Sequence, residues 1–150
     1  MSDLRDLYQE LILDHNRKPR NFGPLADANR SARGVNPLCG DKVAVHLRVE
    51  DGRVAGVSFE GTGCAISIAS ASVMTESLKE RSCDDAKELF ERFHQMVATD
   101  NGGGIDGPGL GKLEAFAGVR DYPARVKCAT LAWHTLCAAL DGEDKAVSTE

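Results

Sequence analysis

The sequence has no apolar run of the roughly 18 residues that a membrane span needs. Its first residues, Met1-Ser2-Asp3-Leu4-Arg5-Asp6, hold acids where a secretory leader would hold a basic and then an apolar region. The expectation is a cytoplasmic protein without membrane contact. Basic residues are not in excess either, for the formal net charge is -5, whereas a nucleic-acid binder wants a basic face. A phosphate loop is also missing. The glycine-dense stretch 100–111 ends in Gly111-Lys112, but Leu113 stands where Ser or Thr belongs and no Gly lies five residues before Gly111. It reads as a flexible connector. No internal repeat and no second domain are evident, and a chain of 150 residues buries roughly two-thirds of its unfolded surface without staples.

Closely paired CxxC motifs are the last absence. The five cysteines, Cys39, Cys64, Cys83, Cys128 and Cys137, are scattered along the chain. Their odd number leaves one over in any disulfide set, and a reducing compartment disfavours disulfides altogether. Metal binding or thiol chemistry becomes the question.

Leu4, Leu7, Tyr8, Leu11 and Ile12 recur at helical spacing, with His15, Arg17 and Lys18 late, which predicts an amphipathic helix over 4–15 that Pro19 stops. Asp14 and His15 read there as helix-end and packing groups. An irregular stretch and a short strand at 33–35 follow. Val43, Val45, Leu47 and Val49 alternate with Ala44, His46, Arg48 and Glu50 as a half-buried strand, Asp51-Gly52 is a hairpin turn, and 54–59 is the returning partner. His46 falls on the polar face as a solvated histidine. Residues 65–80 form a helix rich in Ala and Ser, hence central and buried. Ser82-Cys83-Asp84-Asp85 opens a helix that runs to about Thr99. A short helix at 112–117, a last helix from Asp121-Tyr122-Pro123 and a frayed tail at 141–150 complete the chain. The expected fold is α+β, one domain over 1–150, with a small antiparallel three-stranded sheet packed against several helices.

Helical spacing sorts the cysteines. Cys83 shares a stripe with Ala86, Phe90, Phe93 and Val97, and Cys137 shares one with Val126, Ala129, Trp133, Leu136 and Leu140, so both read as core. Cys64 stands at a helix start, where unpaired N–H groups and the helix dipole favour a thiolate. Cys128 projects about 160° from Val126, away from that stripe. Cys39 and Asp41 lie in the turn Asn36-Pro37-Leu38-Cys39-Gly40-Asp41-Lys42. Three sulfurs and one carboxylate suit tetrahedral Zn²⁺ or the iron of a small cluster. Spacing alone leaves open the plainer reading of a loop with a buried Cys and a turn-forming Asp.

The chain resembles the IscU/SufU family of iron-sulfur assembly proteins, related to the N-terminal domain of NifU, over nearly its whole length. The motifs are Tyr8 through Asp14-His15, Pro19-Arg20-Asn21-Phe22-Gly23, Asn36-Pro37-Leu38-Cys39-Gly40-Asp41, Gly61-Thr62-Gly63-Cys64-Ala65-Ile66-Ser67 with Ala69-Ser70, and Arg125-Val126-Lys127-Cys128-Ala129-Thr130-Leu131-Ala132-Trp133. The resemblance implies Cys39, Asp41, Cys64 and Cys128 as metal or cluster ligands. Two departures resemble the SufU branch. Tyr122-Pro123-Ala124-Arg125-Val126 stands in place of the Leu-Pro-Pro-Val-Lys chaperone-binding segment, with Lys127 in place of a histidine, and 101–120 is an extra segment. That branch holds zinc and passes sulfur from a SufS-type cysteine desulfurase.

The resemblance thus implies a zinc-dependent sulfurtransferase that serves downstream Suf assembly proteins or apo iron-sulfur proteins. The alternatives are a scaffold that assembles a 2Fe-2S cluster or iron on the same ligands, and a structural zinc-binding module. Thiolates attack sulfur and thiols hardly do. Cys39, in a turn that can move without unpicking a helix, is the expected sulfur acceptor once a partner supplies a substitute ligand. Cys64 and Cys128, on helices, stay as ligands. Lys42, Arg125 and Lys127 are candidate partner contacts. The whole site is expected to be open to solvent.

Overall fold

A computed structural model describes residues 2–37, 40–98, 112, 113, 115, 116, 119, 122–142, 147 and 148. Helix α1 (Ser2–Arg17) leads through an irregular segment to strands β1 (Arg30–Asn36), β2 (Asp41–Glu50) and β3 (Arg53–Thr62). Helices α2 (Ala65–Leu78), α3 (Cys83–Ala98) and α4 (Pro123–Leu140) follow, and strand β4 (Val147–Ser148) comes last. The sheet order is β3-β2-β1-β4. The three long strands are antiparallel, as expected, and their hairpin turns through Asp51 and Gly52 at φ 54° and 75°, the left-handed pair that a two-residue turn demands. The expected glycine connector at 100–111 lies outside the described residues.

Three differences from the sequence reading have physical causes. Strand β1 is seven residues long because it pairs with β2 from Arg30 opposite Leu47 to Asn36 opposite Asp41; Arg-Ser-Ala-Arg-Gly has little strand propensity, and the ladder overrides it. Within the expected tail, β4 adds a parallel pairing on β1, Gly34 to Val147 and Val35 to Ser148. His46 is no freely solvated histidine: its Nε2 lies 2.9 Å from Glu60 Oε1 and its Nδ1 3.0 Å from Ser31 Oγ, so neighbouring strands hold the ring on both sides.

The core joins one sheet face to the helices. Val43, Val45, Leu47, Val57 and Phe59 are buried with Val73, Met74 and Leu78 of α2 and with Leu131, Trp133 and Leu136 of α4. Helix α4 packs against β1 and β2, against α2 and against α3, so it is enclosed on most sides. Its approach to β1 needs glycine, because a Cβ on Gly34 would stand 2.1 Å from Thr135 Oγ1 and 3.1 Å from Leu131 Cδ1. Among the described residues no helix is long and apolar enough to cross a membrane.

Helix α2 is the buried centre, and its hydroxyls bind its neighbours. Ser70 donates to the Ala129 carbonyl at 2.6 Å and accepts from the Trp133 indole at 3.2 Å. Ser72 accepts from the Arg20 amide at 2.8 Å and lies 2.7 Å from His15 Nδ1. His15 is 1% exposed, a packing group as expected, with Nε2 3.7 Å from Glu76 Oε1. Burial first, then the Arg20 guanidinium, then Lys112, hold its pKa below the ordinary 6.5 against the pull of Glu76 and Asp14. The unfolded chain therefore takes up this proton before the folded chain does. The predicted result is stability that is flat above about pH 7 and falls as the pH drops below 6.5, by up to ~1.4 kcal/mol per pH unit for each such histidine. Urea midpoints at pH 7.5 and 5.5 measure it. His15→Asn is expected to lower the midpoint at pH 7.5 and to flatten the fall.

Candidate metal centre

The site forms where a strand start, a helix start and a helix side meet. Gly40, at φ 76°, donates its amide to the Asn36 carbonyl at 2.8 Å and closes the turn between β1 and β2. Asp41 then opens β2 opposite Asn36. Cys64 is the N-cap of α2, and its sulfur accepts from the Ser67 amide at 3.4 Å. The Cys64 amide donates to Asp41 Oδ1 at 2.9 Å, and the Cys64 sulfur lies 3.7 Å from Asp41 Oδ2. Cys128 comes from the second turn of α4. One ligand atom from each of Asp41, Cys64 and Cys128 lies within 4.8 Å of the others. Cys39, the fourth expected ligand, lies outside the described residues.

A tetrahedral zinc site with bonds of roughly 2.0–2.3 Å has its donors about 3.3–3.8 Å apart, so small side-chain rotations close this set around one ion. The donor chemistry fits as well: two cysteine sulfurs and a carboxylate oxygen are donor types that zinc takes. The chain tunes each donor with amides. Asn36, 1% exposed, donates from Nδ2 to the Cys128 sulfur at 3.9 Å, and such contacts orient ligands and offset their charge. Zinc held here would keep its sulfur donors deprotonated at neutral pH without a redox chemistry of its own.

The expectation of a site open to solvent is corrected. Asp41 is 1% and Cys128 3% exposed, and only Cys64 of the three is half-buried. The angle from Val126 was a sound measure, but α4 is packed by the sheet on one side and α2 on another, so leaving one apolar stripe does not lead to water. Access runs through a cleft of ≈ 210 Å³ lined by Cys64, Ala65, Ile66, Ala124, Arg125 and Cys128. Arg125 is exposed at its edge, Lys42 is exposed beside Asp41, and Lys127 is half-buried. The other two cysteines sit apart. Cys83 packs against the core, and burial, followed by the Asp141 carboxylate, pushes the Cys137 thiol up to about 11, so it stays protonated where a ligand must not.

Two contributors escaped the sequence reading, Asn36 and Gly63. Both lie inside the quoted motifs, but only the fold shows what they touch. A Cβ on Gly63 would stand 2.4 Å from Asp41 Oδ1 and 2.8 Å from its Cγ. Gly63→Ala therefore forces the carboxylate off the Cys64 amide. Its expected effect is a loss of about tenfold or more in zinc affinity, read by competition with a chromophoric chelator, with the melting of the metal-free chain little changed.

The chain is similar to known proteins in sequence and in fold. Residues 7–139 match the family model of the NifU-like N terminal domain. The zinc-dependent sulfurtransferase SufU of Bacillus subtilis is 39% identical over 136 residues, covering 90% of each chain. The iron-sulfur cluster assembly scaffold protein IscU of Thermotoga maritima is 40% identical over 134 residues, covering 89% of this chain and 92% of its own. A putative scaffold protein for the SUF system from Fervidobacterium islandicum superimposes with a TM-score of 0.82 at 34% identity, over 91% of this chain and 98% of that one. With its motifs, its three long antiparallel strands packed against four helices and its Asp-Cys-Cys cluster, the chain belongs to the NifU-like N-terminal domain family.

Proposed function

We propose that this protein is a zinc-dependent sulfurtransferase that accepts persulfide sulfur from a SufS-type cysteine desulfurase and hands it on for iron-sulfur cluster assembly in the cytoplasm. The observation that carries the reading is the convergence of Asp41, Cys64 and Cys128 from three distant parts of the chain on one point. Cys39 completes the ligand set and is the acceptor. Its thiolate attacks the outer sulfur of the desulfurase persulfide, the S–S bond breaks, and the desulfurase cysteine leaves as a thiolate. The sulfane sulfur is then a persulfide on Cys39, and no electrons are gained or lost overall.

The residues divide the labour by their supports. Cys64 caps a helix and Cys128 is buried with an amide donor beside it, which suits donors that stay in place. Cys39 lies in sequence between Pro37 and Gly40, residue types that favour a turn able to move without unpicking a helix. Arg125 at the cleft edge, with Lys42 next to Asp41 and Lys127 next to Cys128 in the chain, supplies positive charge for contact with the desulfurase or with later Suf assembly proteins and apo iron-sulfur proteins.

The test is stoichiometric and kinetic. Freshly purified protein should carry about one zinc per chain and raise desulfurase turnover, and Cys39→Ala should lose the stimulation. Normal stimulation by Cys39→Ala would remove Cys39 from the mechanism. The scaffold reading keeps a place because a relative of equal similarity is a named scaffold protein. Anaerobic reconstitution of a 2Fe-2S cluster, followed by transfer to an apo-ferredoxin, separates the two.

A further inference from the structure

The seam between α3 and α4 carries donors that the cysteine site does not use. His94 of α3 and His134 of α4 face each other with ring centres 5.8 Å apart and planes at 76°. With Phe90, Glu91 and Gln95 they line one open cavity of ≈ 230 Å³. Both histidines are half-buried, so solvent ions reach them while the helices limit their motion. Phe90 walls the pair, 5.6 Å from the His94 ring and 5.1 Å from the His134 ring. Six residues, about 9 Å of helix rise, separate His134 from Cys128, so the two groups are distinct.

We infer that His94 and His134 together bind a borderline divalent cation, Zn²⁺ foremost, through one nitrogen of each ring. A zinc–imidazole bond of roughly 2.0–2.1 Å puts the metal about 3.2 Å from a ring centre, so rings with centres up to about 6.4 Å apart can share one ion. The observed separation lies inside that limit. Imidazole χ2 is a broad torsion, which lets a nitrogen turn inward without leaving its rotamer. Glu91 stands one helical turn before His94 and lines the same cavity, so it can offer an oxygen as third donor, with water completing an open site. Burial, and then the neighbouring His94, hold the His134 pKa below its ordinary value, which keeps a lone pair available at neutral pH. Among the described residues only Asp41, Cys64 and Cys128 form a group of three donors already within 4.8 Å of one another. The imidazole pair therefore fills second and binds more weakly.

The experiment is a calorimetric titration of protein that already carries its first zinc with further Zn²⁺. Wild type is expected to take up a second equivalent, and His94→Gln and His134→Gln are each expected to weaken it by about tenfold or more. Their first-site zinc content, by metal analysis, should match wild type and reports that they are folded. Zinc-induced shifts of the His94 and His134 imidazole nitrogens in the wild-type NMR spectrum give a reading that needs no variant. The inference is overturned if wild type takes up no second equivalent, if the double variant keeps it at unchanged affinity, or if the imidazole signals do not move. Should the cysteine site prove to hold no zinc, the histidine-dependent equivalent remains identifiable by its loss in these two variants.

Discussion

Cys128→Ala is expected to lower zinc affinity by a hundredfold or more while the chain stays folded. Zinc bound by a full set of protein donors is worth roughly 10–16 kcal/mol at neutral pH, so one donor of four carries about 3 kcal/mol or more, and each 1.4 kcal/mol is tenfold. The fold survives because Cys128, though 3% exposed, lies outside the contiguous apolar cluster, which α4 joins through Ala129, Leu131, Trp133 and Leu136 and which Val126 packs against. Its sulfur faces Asn36, Asp41 and Cys64 instead. The same division predicts that chelation of wild-type protein strips zinc without abolishing far-UV circular dichroism, unlike a small zinc finger, for which metal is the core. Chelator competition and thermal melts of both proteins measure the two halves separately. A variant that kept stoichiometric zinc at wild-type affinity would remove Cys128 from the ligand set, and a chain that unfolded on chelation would restore the structural zinc module.

The elements were legible wherever one periodicity ruled a segment. Val43, Val45 and Leu47 alternate without interruption, and the Asp51-Gly52 turn requires the two left-handed residues that the structure contains. Legibility failed where a segment borrows its conformation from a partner. Residues 30–36 form a strand because β2 offers a ladder, and Val147–Ser148 pairs because β1 has a second edge. His46 shows the same limit on a smaller scale, since its place on the polar face was readable but its bonds to Ser31 and Glu60 depend on strand register. At the candidate metal centre, the ligands were legible from the motifs that carry the family resemblance, and three of them, Asp41, Cys64 and Cys128, meet in the fold from a strand start, a helix start and the second turn of a helix. Exposure was not readable. A helical wheel gives the angle between Cys128 and Val126 but not how many sides of α4 are covered, and that depends on α2 and the sheet lying against the same helix.

Trp133→Ala is the complementary case, expected to cost about 3–5 kcal/mol of folding stability and to leave zinc affinity near wild type below its melting temperature. The indole is fully buried and stacks on Phe93 at 4.8 Å between ring centres and on Phe90 at 6.2 Å. Its N–H reaches Ser70, whose hydroxyl in turn ties α2 to the Ala129 carbonyl of α4. Removal thus empties the largest side-chain volume in the contact between α3 and α4 and leaves the Ser70 oxygen short of one donor. For a chain of this size the loss corresponds to a fall in Tm on the order of 10 °C. Trp133→Phe should recover part of the loss, since it keeps the stack and gives up only the indole bond. Zinc stays because the ring faces α3, whereas the ligand-bearing turn of α4 meets Asp41 and Cys64. Saturating zinc should then raise the midpoint of wild type and of Trp133→Ala by a similar free energy, since ligation stabilises only the folded state in each. A Trp133→Ala protein that melts like wild type, or one that loses zinc while still folded, would show that core and metal centre are not the separate supports that the packing of α4 makes them.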